Sequence, residues 1–195
     1  MHMVLEPRRW TLEEMHALPE DGNIYELIDG ELLVSPAPTP RHEGPAARLA
    51  RLLDKYAQDE QLGFAYRPQA VFRIGRRVEV EPDVHVRAEL DEEKDWEDQP
   101  LPLLVVEVHS PRSRKVDLTK KRDVYLGAGI PEYWTVDPAV RTVTVHRAGR
   151  EPEVITGELT WWPAGASHAL VFDVGALWPK ARTQVTGGHE AGLDE

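Results

Sequence analysis

The sequence contains no cysteine, which excludes disulfides, thiolate metal sites and a cysteine nucleophile together. Any metal site must be built from carboxylates, histidines and carbonyls, donors that suit hard cations such as Mg2+ or Mn2+. No apolar run approaches the roughly 20 residues that cross a bilayer, and the N-terminus lacks a signal peptide's apolar core. The expectation is a cytoplasmic protein with no membrane partner. Basic charge is also scarce: 23 Lys and Arg stand against 34 Asp and Glu, for a formal net charge of −11. That balance excludes a generic nucleic-acid coat, which neutralises phosphate over a broad basic surface. It leaves room for a confined basic rim, which would hold nucleic acid weakly and with a strong salt dependence.

What is present suits one globular domain. The 195 residues are 41% hydrophobic and 29% charged, enough apolar content for a substantial core. Residues 1–21 read as an N-terminal helical segment, with a capping box of Thr11 and Glu14 opening a short helix over 11–20. The main domain runs over 22–180, and 181–195 reads as a polar, disordered tail. Asp29-Gly30 between two apolar runs predicts a hairpin over 23–34. Prolines 36, 38, 40 and 45 mark a linker, followed by a helix over 45–59 whose stripe is Leu49, Leu52, Leu53 and Tyr56. Strands are expected over 64–74, over 78–86 with clean alternation, and over 101–108, whose continuous apolar run suits burial on both faces. A helix over 115–128 and strands over 132–136 and 141–147 follow. The order predicts a mixed α/β fold around one central sheet flanked by helices, with additional C-terminal strands.

Three residues stand out against these patterns. Asp83 follows Pro82 in a strand whose other face is valine; its plain reading is a solvated face. Glu107 interrupts the most apolar segment of the chain, where a carboxylate needs a partner. Lys121 shares a helical stripe with Leu118, Val124, Tyr125 and Ala128, the stripe that faces inward; its plain reading is an amine that reaches back to water. Together they are the parts of a phosphodiester-hydrolysing site. Two carboxylates hold a divalent ion that activates water, and a lysine stabilises charge developing at phosphorus.

The run EPDVHV (81–86), followed by LLVVEVHSPRSRKVDLTKKRDVYLGAGIPEYWTVDP (103–138), resembles the Uma-type restriction endonucleases of the PD-(D/E)XK nuclease superfamily. YELIDGEL (25–32), Arg41-His42, Pro82-Asp83, Glu107-Val108, Ser110-Pro111, Lys121-Arg122 and Tyr125 appear in the family's order, and the resemblance covers about residues 22–178. It implies a restriction-endonuclease-like fold and a Mg2+- or Mn2+-dependent endonuclease acting on DNA. Metal would be held by Asp83, Glu107 and the Val108 carbonyl, with Lys121 as the helix-borne lysine. Glu26 and His42 match further polar positions, although a hairpin salt bridge and a packing role suit them as well. The superfamily's usual strand lysine falls at His109, a departure that makes His109 an accessory candidate. It also keeps alive an alternative, a catalytically idle nuclease-fold accessory or assembly module. Arg112 and Arg114 are the candidates for phosphate contact. A homodimer is expected by analogy with superfamily members that cut duplex DNA.

Overall fold

The computed structural model describes residues 8–111 and 113–179. Arg112 and the expected tail over 181–195 lie outside the described residues. Helix α1 (Leu12–His16) opens on Thr11, whose side chain accepts from Glu14 N while the Glu14 carboxylate accepts from Thr11 N, the expected capping box. Strands β1 (Ile24–Ile28) and β2 (Glu31–Ser35) form the expected hairpin. Asp29 and Gly30 both have positive φ, 49° and 83°, the conformation a two-residue hairpin turn demands. Helix α2 (Pro40–Asp59) begins inside the expected linker, because Pro40 sits at the first helical position, where a missing N–H costs nothing.

The expected strand over 64–74 is two strands, β3 (Phe64–Tyr66) and β4 (Phe72–Ile74). A turn at Arg67–Ala70 separates them, with Gln69 at φ 83°. The expected strand over 78–86 is likewise broken, into β5 (Val78–Val80) and β6 (Val84–Arg87). Pro82 has no N–H to give a ladder, and the chain changes sheets there. Strands β7 (Leu104–Val108), β8 (Glu132–Asp137), β9 (Thr142–His146), β10 (Glu153–Ile155), β11 (Glu158–Trp161) and β12 (Leu170–Asp173) complete the set.

Among the described residues three sheets result: a six-stranded one ordered β10-β9-β8-β7-β6-β3, a four-stranded one ordered β2-β1-β5-β4, and the β11-β12 hairpin. The large sheet is mixed, since β7 and β8 run parallel while its other pairings are antiparallel. Their crossover carries α3, residues 114–127, which is α-helical at Arg114–Val116, π-helical at Asp117–Lys121 and α-helical again at Arg122–Gly127.

Alternation along β7 divides the interior in two. Leu104, Val106 and Val108 join Leu49, Leu53, Ala57, Trp134 and Trp161 in a core beneath α2. Val105 joins Ile28, Phe72, Val80, Tyr125 and Tyr133 in a second core, between the large sheet, the small sheet and α3. Trp134 and Trp161 meet edge to face at 5.9 Å, so these two tryptophans are core, whereas Trp162 is 67% exposed. No helix among the described residues is long and apolar enough to cross a membrane.

Gly63 shows how tightly β3 approaches β6. Its φ is +119°, and a Cβ there would lie 2.1 Å from the Arg87 carbonyl oxygen. Because that obstacle is backbone, Gly63→Ala is expected to cost about 3 kcal/mol or more of stability. A urea midpoint within error of wild type would contradict this reading of the approach.

Candidate active site

Residues from both larger sheets converge where the chain passes from one to the other. Asp83 occupies the bend after Pro82, between β5 and β6. Free of the ladder, its side chain turns toward the end of β7, and Oδ2 accepts from Val108 N at 2.6 Å. His42, in the first turn of α2, places Nε2 3.1 Å from the same oxygen.

Glu107 lies on the β7 face that holds Val105 and is 4% exposed. Its Oε1 accepts from Lys121 Nζ at 3.0 Å and from Tyr125 Oη at 2.8 Å. Lys121 Nζ also donates to Glu26 Oε1 at 2.8 Å, and that oxygen further accepts from Glu81 N at 2.9 Å. Lys121 therefore joins β1 of the small sheet to β7 of the large one. Next to this group, His109 Nδ1 lies 3.0 Å from Asp117 Oδ2, and Tyr133 Oη donates to the Asp117 carbonyl. The π-helical turn spans Asp117 to Lys121 and buries both. Such insertions are rare and recur at functional sites.

The electrostatics follow from burial and from an excess of carboxylates. Burial pushes the Glu107 carboxyl well above the usual range. Lys121 opposes this, while Asp83, Asp117 and Glu26 add to it. For Lys121, burial disfavours the ammonium, but Glu107, Glu26 and Asp117 outweigh it and hold the lysine well above its ordinary value. The lysine is charged. Burial, then the Glu107 charge, also pushes the Tyr125 and Tyr133 hydroxyls up, so both remain hydrogen-bond donors. For His42, burial works against the imidazolium, yet Asp83 and then Glu43 raise its pKa on balance.

Glu26, Glu107 and Asp117 thus surround one buried lysine, and Asp83 adds a fourth carboxylate near Glu107. Among the described residues, Asp83 Oδ1 and Glu107 Oε2 enter no hydrogen bond or ion pair. An acidic group with two uncommitted oxygens fits a hard cation in donor type and in charge. Among the described residues no three acidic or histidine side chains are arranged to hold a metal ion, so a cation here would draw on two carboxylates and on backbone or solvent oxygens.

Of the residues singled out in the sequence, Asp83, Glu107, Val108, Lys121, Glu26 and His42 come together. His109 is adjacent but turned to Asp117. Arg114 is ion-paired with Asp137 and remains half-exposed; Arg112 lies outside the described residues. Asp117 was missed because its nearness to Lys120 reads as a surface pairing. Its spacing of four from the inward Lys121 was the available signal, since residues four apart share a helical face. A cavity of about 460 Å3, lined in part by Leu103, Pro131, Arg147 and Trp162, lies at the opposite end of β7 and β8 and contains none of these side chains.

A family model matches residues 12–172: Uma2, described as "Putative restriction endonuclease". The chain belongs to this family. Its fold agrees with that of another protein, reported as a putative nuclease belonging to DUF820 from Anabaena variabilis. That structure aligns with a TM-score of 0.72 at 24% identity, over 86% of this chain and 97% of the other. At that identity the likeness speaks for the fold, and the fold is restriction-endonuclease-like. No curated protein matches the chain. As a Uma2 member, the protein is nuclease-like in family and architecture, and the cluster of Asp83, Glu107 and Lys121 lies within the matched span.

Proposed function

We propose that the protein is a metal-dependent endonuclease that hydrolyses phosphodiester bonds of DNA. One observation carries the reading: Asp83 and Glu107 each commit one oxygen to two donors and leave the other uncommitted, beside a buried lysine held in its charged form. Mg2+ or Mn2+ would be held by Asp83, Glu107 and the Val108 carbonyl, and when bound it supplies Lewis-acid polarisation of the phosphate and a more acidic water.

The chain's own residues do the rest. Val108 N–H and Tyr125 Oη fix the inner oxygens of the two carboxylates, which pre-orients the outer ones. Lys121 presents a fixed positive charge between Glu107 and Glu26, placed to stabilise negative charge as it develops on the phosphate. It is the group we assign to the work of the superfamily's strand lysine, because His109 spends Nδ1 on Asp117. An acidic body predicts weak, salt-sensitive DNA binding. Two copies would present one site to each strand of a duplex, and on that ground a homodimer is part of the proposal.

The test is nicking of supercoiled plasmid with and without Mn2+, at low and moderate salt, by wild type and Asp83→Ala. Nicking should need the cation, weaken with salt and fall at least about a hundredfold in the variant. Equal nicking by both proteins, or nicking in excess chelator, would overturn the proposal. A wild type that binds no cation and never nicks would instead favour the idle accessory module.

A further inference from the structure

We infer that His42 is a positioning residue for Asp83, fixing which carboxylate oxygen is offered to the cation. The inference rests on the metal-dependent reading above and adds to it a role for α2, which contributes no ligand.

The need for such a residue follows from where Asp83 sits. It lies in the bend at which Pro82 interrupts the ladder between β5 and β6, so strand pairing does not orient its side chain. Two groups do so instead. Val108 N–H donates to Oδ2 from the end of β7, and His42 Nε2 lies 3.1 Å from that oxygen. A carboxylate held by one donor can rotate about its Cβ–Cγ bond and exchange its oxygens. Two donors on the same oxygen resist that exchange and leave Oδ1 as the outer atom.

His42 is itself held from both sides. Its neighbour Arg41 donates through Nη2 to the Pro138 carbonyl at 3.1 Å, beyond the end of β8. Its other neighbour, Glu43, is ion-paired with Arg67, in the turn after β3. The backbone N–H groups of His42 and Glu43 both donate to the Thr39 carbonyl at 2.9 Å, which closes the first helical turn. The His42 side chain is mostly buried, at 15% exposure. A side chain so anchored has few alternative rotamers, as a group that locks another must.

A purely structural His42 would tie α2 to the β5–β6 bend and influence melting alone. A positioning His42 must also change the affinity for cation, and the change must depend on where its replacement places a donor. The experiment uses the full chain. Mn2+ titration calorimetry, cleavage rate at saturating DNA and thermal melting are compared for His42→Ala, His42→Gln, His42→Asn and Asp83→Ala.

Gln places its amide nitrogen about as far out as Nε2, whereas Asn stops short of it. We expect His42→Ala and His42→Asn to weaken Mn2+ binding by about 10–100-fold. The cleavage rate should fall in parallel, with the KM for DNA unchanged, and His42→Gln should recover much of both. Equal Mn2+ affinity in the Gln and Asn variants, or wild-type affinity in His42→Ala, overturns the positioning role. If His42→Ala does not fold, the Gln and Asn comparison decides alone. Asp83→Ala separates the two levels. Loss of Mn2+ there with retention in every His42 variant defeats only the role of His42, whereas retention in Asp83→Ala defeats the metal reading beneath it.

Discussion

Lys121→Ala is expected to abolish detectable cleavage and at the same time to lower stability by about 3–5 kcal/mol at pH 7. The first effect is the loss of the fixed cation beside the reacting phosphate, typically worth about a hundred- to a thousandfold in rate. The second has a separate cause. Lys121 is 6% exposed and bonds to Glu26 and Glu107, each 4% exposed. Removing it leaves two buried carboxylates without their counter-charge, and an uncompensated buried charge costs far more than an intact pair contributes. The stability loss should shrink as pH falls from 7 to 5. Glu107 already has a raised pKa, and a folded-state carboxyl pKa above the unfolded value means that its charge opposes folding at high pH and ceases to do so once protonated.

A companion variant sharpens the point. Glu107→Gln keeps an acceptor for Tyr125 and removes the charge, so it should be inactive yet at least as stable as wild type. Urea midpoints at pH 7 and pH 5, with single-turnover cleavage, read both effects. If Lys121→Ala cleaves normally while His109→Ala is dead, the assignment passes to His109.

The second large effect is loss of stability in acid through His85. This residue is fully buried on β6, stacked 5.5 Å from Tyr66, and neither ring nitrogen has a hydrogen-bond partner among the described residues. Burial, with Arg87 adding to it, pushes its pKa down from 6.5 to about 3. A histidine depressed in the folded state stays neutral while the unfolded chain takes up a proton. Its contribution is therefore complete above about pH 6.5 and is lost progressively as pH falls toward 3. At roughly 1.36 kcal/mol per pKa unit, the loss approaches about 4–5 kcal/mol at the acid end. His146, pushed down to about 4 chiefly by burial, adds in the same direction.

His85→Phe preserves the stack on Tyr66 and removes the titration, so its stability should vary much less between pH 6.5 and 4. Urea midpoints of the two proteins across that range isolate the histidine, because the carboxylates are common to both. Parallel pH profiles would show that His85 is not the cause.

Part of this was legible in the sequence. An acid inside an apolar run and a lysine on the inward stripe of a helix are violations that a core tolerates only with compensation, and Glu107 and Lys121 compensate each other. The hairpin was legible because only a few residue pairs accept two consecutive positive φ values. The break at Pro82 was harder to see. Alternation continues numerically from Val78 to Val86 even though the strand does not, and period alone carries no information about which sheet a residue joins. That is also why the Asp83 face read as solvated, although His85, two residues on, is fully buried. The partners of Asp117 and Arg114 were hidden from the sequence for a related reason. Whether a charge near the start of a helix meets solvent or a partner depends on the tertiary fold, which here brings Asp117 to His109, just past β7, and Arg114 to Asp137, at the end of β8.

The bridge that Lys121 makes between Glu26 and Glu107 bears on how an inactive form of this protein should be prepared. Two of these side chains, Lys121 and Glu107, would carry the chemistry and also fasten one sheet to the other, so a knockout at the lysine confounds catalysis with assembly. Asp83, at the seam but bonded among the described residues only to a backbone amide and to His42, is the cleaner position for a control meant to be silent and otherwise intact.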